Sequence, residues 1–244
     1  MSLLDAVEIP RKTMVLFFVV DTSGSMEGSK IGAVNTAIEE VIPAIKDISD
    51  ENADAEIKIA ALEFSSEARW VTGNGPVELS QFHWNGLKAD GWTAFGEACK
   101  ELNEKLAAKA FMKDATGYFA PAIFLLSDGE PTDGNWQGEL AELKKNKWFK
   151  AAVKVAVAIG DEANKDMLKE FTGTMEAVLE VHDAVTLKKM IKFVSVRASQ
   201  VASKSTNAGS GDLGDAQKQA ELNASLQELN EEIAVSPDND QEDW

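Results

Sequence analysis

The sequence predicts an α/β domain built on a doubly wound, mainly parallel sheet, with one antiparallel edge strand and helices on both faces. Three observations carry that prediction. Residues 14–20, Met-Val-Leu-Phe-Phe-Val-Val, form a run of seven uncharged residues that stops abruptly at Asp21; strands covered on both faces read this way, whereas half-exposed strands alternate apolar and polar residues. Residues 122–126, Ala-Ile-Phe-Leu-Leu, repeat the pattern and stop at Ser127-Asp128. Around them, apolar runs of strand length alternate with stretches whose apolar residues recur every three or four positions, the signature of strand-helix-strand units with parallel pairing.

Taken in order, the strand at 14–20 is followed by a helix with Ile31, Val34, Ile38, Val41, Ile45 and Ile48 on one buried face. Residues 56–64 and 69–77 flank a short polar turn, which favours antiparallel pairing, and Pro76 suits the end of an exposed edge strand. Phe95, Cys99, Leu102 and Leu106 mark the next helix, and residues 119–126 the next strand. A helix over 136–147 precedes a strand at 153–159, which Gly160-Asp161 closes. A helix bearing Met167, Leu168 and Phe171, a short strand at 177–181 and a helix over about 187–201 complete a domain of residues 1–202. Residues 203–214 are small and polar and read as a flexible linker. In the acidic tail, 215–244, Leu222, Leu226, Leu229 and Ile233 recur at helical spacing, so 216–234 could form a narrow amphipathic helix. A lone helix of that length is marginal in water, so it docks either on a partner or on its own domain. The acidic residues 236–244 read as disordered.

The polar end of the first strand is the candidate site. Asp21, Ser23 and Ser25 fall where the chain leaves the sheet, and in open α/β sheets ligands bind in the crevice at the carboxyl ends of the strands. Three hard oxygen donors within five residues suit magnesium, manganese or calcium rather than zinc. Alone the pattern is weak, because clusters of Ser, Asp and Gly usually mark turns. Two complementary pieces strengthen it: Gly91-Trp92-Thr93, which offers a hydroxyl just before a helix, and Ser127-Asp128-Gly129-Glu130-Pro131-Thr132-Asp133, which offers a carboxylate after a later strand.

Together these pieces resemble the metal-ion-dependent adhesion site (MIDAS) of the von Willebrand factor A (VWA) family: Asp-x-Ser-x-Ser, a distant Thr, and an Asp after a later strand. The resemblance implies the Rossmann-like VWA fold, with Ser23, Ser25 and Thr93 as direct ligands and Asp21 and Asp128 binding directly or through water. It implies Mg²⁺, with Mn²⁺ or Ca²⁺ as substitutes, and a protein partner that presents Asp or Glu to the metal. Trp92 stands where many relatives carry Gly; it narrows the metal mouth, touches a partner, or is an ordinary half-buried aromatic. Glu130 and Asp133 tune or line the mouth, or are solvated loop acids or an N-cap for the following helix. Residues 121–133 and 193–205 are also similar to bacterial, intracellular TerY-like proteins associated with tellurium resistance and stress. That narrower likeness, which runs from about residue 10 to 205, implies a scaffold or regulator with phosphatase or kinase partners.

A net charge of −17 and a pI near 4.5 argue against nucleic acid or an anionic membrane as partner, since both need a positive field. From Ser203 onward ten acidic residues face only Lys204 and Lys218, so this segment contributes −8, chiefly to solubility. The start Met-Ser-Leu-Leu-Asp-Ala-Val-Glu lacks a secretory pattern, and no apolar run is long enough to span a bilayer. The single cysteine, Cys99, cannot form an internal disulfide and falls on an expected buried face, so it reads as inert core and the location as cytoplasmic. A catalytic alternative would use Asp21 and Ser23 with His83 or His182, or a metal hydrolase on Asp21 and Asp128. The chain has no Gly-x-Ser-x-Gly elbow, no evident general base and no phosphate-loop Gly-Lys-Ser/Thr, so the expectation is an interaction module and not an enzyme.

Overall fold

The computed structural model describes residues 11–107, 110–112, 117–202 and 211–235. Its centre is β1 (Lys12–Asp21), whose last eight residues are fully buried. Helix α1 (Ser29–Glu51) leads to β2 (Ala55–Phe64), which pairs in parallel with β1 from Lys12↔Ala55 to Asp21↔Phe64. On the other side of β1 lies β5 (Ala122–Ser127), parallel, with Val20 opposite Leu126. Beyond it come β6 (Val153–Ile159) and β7 (Val178–Val181); with β3 (Ala68–Trp70) on the far side of β2 the order is β3-β2-β1-β5-β6-β7, and the short β4 (Val77–Glu78) also pairs with β2. Neighbours of β1 are reached in opposite directions along the sheet, so the crevice between β1 and β5 is a topological switch point.

Both faces are packed, as the unbroken apolar strands require. Met14, Leu16, Phe18 and Val20 face α1 and α6 (Ala184–Ala202). Val15, Phe17 and Val19 face α2 (Phe95–Lys105), α3 (Trp136–Leu143) and α5 (Lys165–Thr172). Cys99 sits in that second layer, fully buried, and burial pushes its thiol pKa up. Among the described residues no helix is long and apolar enough to cross a membrane.

Several boundaries differ from the sequence reading for identifiable reasons. The single edge strand expected at 69–77 is two pieces, β3 (Ala68–Trp70) and β4 (Val77–Glu78), each antiparallel to β2. Between them Gly73 turns the chain at φ 68°, and the Thr72 hydroxyl accepts from Ala61 N at 3.2 Å where a ladder carbonyl would have stood. The strand expected from Phe119 begins only at Ala122, because Pro121 has no N–H to give. The helix expected over 136–147 is split into α3 and α4 (Lys147–Ala151); the Asn146 side chain accepts from Trp148 N and Phe149 N and starts the second piece.

The tail departs most from expectation. Helix α7 (Gly211–Val235) begins inside the expected linker, so residues 211–214 are helical; residues 203–210 and the acidic end, 236–244, lie outside the described residues. Leu222, Leu226 and Leu229 are buried in the same apolar layer as α1 and α6, so α7 docks on its own domain. The outer edge of β6 at Lys154 lies beyond the reach of β7, whose pairing starts at Ala156. The Gln219 amide fills that place like a short strand: its oxygen accepts from Lys154 N at 2.8 Å and its nitrogen donates to Lys154 O at 3.0 Å.

Candidate metal centre

The register of β1 and β5 brings the two polar strand ends side by side. Val20 opposite Leu126 places Asp21 next to Ser127, and the Ser127 hydroxyl donates to Asp21 Oδ2 at 2.6 Å. Asp21 Oδ1 accepts from Ser23 N at 2.9 Å, folding the exit loop back over the strand end. The following 3-10 turn (Gly24–Met26) leaves Ser23 and Ser25 with their hydroxyl oxygens 3.0 Å apart. Ser25 Oγ then donates to Asp128 Oδ1 at 2.8 Å, closing a chain of oxygens from one strand end to the other.

Thr93 arrives from the long coil between β4 and α2. Asn35 of α1 anchors that coil, accepting from Leu87 N at 2.7 Å and Trp84 Nε1 at 3.1 Å and donating to Leu87 O at 2.8 Å. Gly24 N donates to Gly91 O and Asp90 N to Thr22 O, which fixes the coil against the Asp21–Ser25 loop. Thr93 and Thr132 then lock together: Thr132 N donates to Thr93 O at 2.9 Å, and Thr93 N donates to the Thr132 hydroxyl at 3.0 Å. Gly129 shows how closely the pieces converge. A Cβ at that position would lie 3.3 Å from Thr93 Oγ1, 3.5 Å from Ser25 Oγ and 3.8 Å from Asp21 Oδ2. The structure thus gathers Asp21, Ser23, Ser25, Thr93 and Asp128 around one small space that a Cβ at Gly129 would crowd.

The flanking residues separate. Asp133 caps a helix, but not the one that follows it: its Oδ2 accepts from Gly96 N at 2.6 Å in the first turn of α2, where Ala94 supplies no side-chain cap. A Cβ at Gly96 would collide with that oxygen. Asp133 Oδ1 is buried without a hydrogen-bond partner among the described residues. Glu130 is exposed beside the site. Trp92 is 70% exposed and not half-buried, and its backbone N–H donates to Ser66 Oγ at 3.1 Å.

Three contributors carry no motif of their own: Ser127, Thr132 and Lys30. The Lys30 ammonium sits 2.6 Å from Asp128 Oδ2, a carboxylate with no exposed surface. Ser127 had a signal in standing between the apolar run and Asp128, whereas Lys30 and Thr132 gave none above ordinary loop and helix composition.

Electrostatically the site is a buried acid pair balanced by one lysine. Burial raises the Asp21 pKa from near 3.8 to about 6, against the lowering effect of Ser127 and Ser23 hydrogen bonds and with a smaller raising contribution from Asp128. Among the described residues no group of three or more His, Cys, Asp or Glu is placed to hold a metal. The donor set is therefore two carboxylates and neutral hydroxyls, all hard oxygens, which fits Mg²⁺ or Mn²⁺ and offers none of the softer ligands that zinc and copper favour. His182 is engaged elsewhere, with Nδ1 3.0 Å from Asp161 Oδ1.

The family model described as the von Willebrand factor type A domain matches residues 16–193. No curated protein matches the chain. Similar solved structures include a von Willebrand factor type A protein from Catenulispora acidiphila, 18% identical over 77% of this chain and 43% of its own, with a TM-score of 0.58. The pilus adhesin SpaC from Lactobacillus rhamnosus GG, in an open conformation, is 15% identical over 78% of this chain and 30% of its own, TM-score 0.61. Proximal thread matrix protein 1 from the mussel byssus, with a zinc-occupied MIDAS motif, is 14% identical over 78% of this chain and 48% of its own, TM-score 0.57. At these identities the likeness is one of fold, and the chain spans less than half the length of each.

Proposed function

Because the chain belongs to the von Willebrand factor type A family, whose domains generally mediate metal-dependent protein interactions, we propose that it is a metal-dependent protein-interaction module. Asp21, Ser23, Ser25, Thr93 and Asp128 hold a divalent cation, Mg²⁺ before Mn²⁺ or Ca²⁺, and a partner's Asp or Glu completes the coordination. One observation carries the reading: hydroxyls and carboxylates from three separate loops converge on the space beside Gly129. When bound, the cation supplies an electrophilic centre for a carboxylate. The chain's own residues do the rest. Ser127 and Ser23 N–H orient Asp21, the Thr93–Thr132 pair fixes the third loop, and exposed Trp92 and Glu130 border the mouth.

Catalysis is not part of the proposal, because among the described residues no histidine is hydrogen-bonded into the oxygen cluster and His182 is spent on Asp161. The likeness of residues 121–133 and 193–205 to TerY-like proteins supports the finer reading of a cytoplasmic scaffold or regulator in a bacterial stress or tellurium-resistance system, with a phosphatase or kinase as partner. The strong negative charge supports a protein partner over nucleic acid or membrane. The test is affinity capture from the native host in Mg²⁺ and in EDTA, with wild type and Thr93→Ala. Capture that needs both the metal and Thr93, without metal-dependent hydrolysis of phosphate esters or peptides by the same preparation, supports the module. Turnover lost in Asp21→Ala overturns it.

A further inference from the structure

Lys30 stands at a position that ordinary electrostatics disfavours. It is the second residue of α1, where the positive end of the helix dipole repels a cation, and it is only 20% exposed. Both costs are offset by one contact, the 2.6 Å pair with the fully buried Asp128. Among the described residues no other charged group is hydrogen-bonded to either carboxylate of the site; Asp21 is held by a hydroxyl and a backbone N–H.

We infer that Lys30 is a built-in counter-cation that lowers the affinity of the site for its metal and raises the affinity of the loaded site for an anionic ligand. The inference rests on the metal reading above. With both carboxylates ionised, Lys30 leaves the oxygen cluster one negative charge, and a divalent ion turns that into one positive charge. Without Lys30 the same cluster would carry two negative charges and be exactly neutralised by the ion. Lys30 therefore repels the incoming cation, yet leaves the loaded centre with an excess positive charge that only an anion removes. This matters because the loops around the mouth are themselves acidic: Glu67, Asp90 and Glu130 are exposed on three loops tied by hydrogen bonds to the Gly91–Thr93 segment or the site, and they repel an approaching carboxylate. Lys30 supplies the attraction at the point of contact that those side chains take away at a distance.

The experiment compares wild type, Lys30→Gln and Lys30→Arg by calorimetric titration with MnCl₂ alone, followed by acetate titrated into the Mn²⁺-loaded proteins and read by water-proton relaxation. Lys30→Gln is expected to bind Mn²⁺ about tenfold more tightly and acetate about tenfold more weakly than wild type, with Lys30→Arg close to wild type on both. Should the Gln variant fail to fold, Lys30→Met, which keeps the aliphatic stem, is measured in its place. Weaker or unchanged Mn²⁺ binding in the uncharged variant overturns the inference, since Lys30 would then only position Asp128. If wild type itself binds no Mn²⁺, it is the metal reading that fails.

Discussion

Gly129→Ala isolates the metal centre from the fold. The glycine is not in the left-handed region, so alanine fits its backbone, and restricting the unfolded chain favours the folded state by about 0.4–1 kcal/mol. Against this, the new methyl sits 3.3 Å from Thr93 Oγ1, which must give by a few tenths of an ångström. The two effects are similar in size, so the metal-free unfolding free energy should change by less than about 1 kcal/mol. The effect on the cation is of another order. A cation held by Thr93 and Ser25, with magnesium–oxygen bonds of roughly 2.1 Å, would compete with the methyl for the space beside those oxygens. At a Mg²⁺ concentration about a hundred times its Kd, binding stabilises the wild type by about 2.7 kcal/mol. For a chain of this size that corresponds to a midpoint increase of about 5–11 °C. Thermal unfolding with EDTA and with Mg²⁺ should show that increase in wild type and none in Gly129→Ala. An equal increase in both would place the cation elsewhere, and a metal-free loss above about 2 kcal/mol would make Gly129 a structural residue.

Three further outcomes follow from the same structure. Folding raises the Asp21 pKa, so its contribution to stability is full below about pH 3.8 and is lost as pH rises through about 6; Mg²⁺ binding needs the ionised form and should weaken as pH falls through about 6. Asp21→Asn should remove this pH dependence from metal-free unfolding, and its persistence would assign it to another group. Truncation after Ala202 should expose the trough that Leu222, Leu226 and Leu229 fill, lowering stability by on the order of 3 kcal/mol after the ordering cost of α7 is discounted; an unchanged urea midpoint without new dye binding would refute it. Gln219→Leu leaves the Lys154 N–H and carbonyl without their amide partner and should cost about 1–3 kcal/mol in urea unfolding at constant slope.

Residues whose position follows from their own strand or helix were legible in the sequence; those placed by a crossing were not. Asp21 and Asp128 stood out because each ends an unbroken apolar run at the carboxyl end of a buried strand, where ligands bind in open α/β sheets, and Thr93 completed the pattern by its place before a helix. Lys30 looked like any exposed helix lysine, since its partner lies 98 residues away and meets it only because α1 starts beside the end of β5. The sequence leaves Asp133 open between the metal mouth, a solvated loop acid and a cap for the helix after it, yet the loop turns back and caps a helix at Gly96, 37 residues earlier. The leucine stripe of α7 has the same spacing whether it meets a partner or its own domain, so periodicity left the choice open. What decides it is the vacant edge of β6 at Lys154, visible only once the length of β7 is known.

The two ends of the sheet meet opposite demands, and this explains why the chain carries both an oxygen cluster and a C-terminal helix. At the carboxyl ends of β1 and β5 the polar groups are satisfied by one another: Asp21 by Ser127 and Ser23, Asp128 by Ser25 and Lys30, Thr93 by Thr132. Buried polar atoms that are already paired do not rearrange freely, so the cluster is held in place before any cation arrives. Near the amino end of β6, where β7 falls short, the edge turned away from β5 meets no strand among the described residues, and α7 supplies both an amide for Lys154 and leucines for the adjoining trough. Among the described residues, the bonds that hold the oxygen cluster come from β1 and the loop after it, α1, β5 and the loops before α2 and α3, and none comes from α7. A change in the small space beside Gly129 therefore leaves the α7 contacts untouched, which is why Gly129→Ala should remove the proposed cation binding with little effect on the fold.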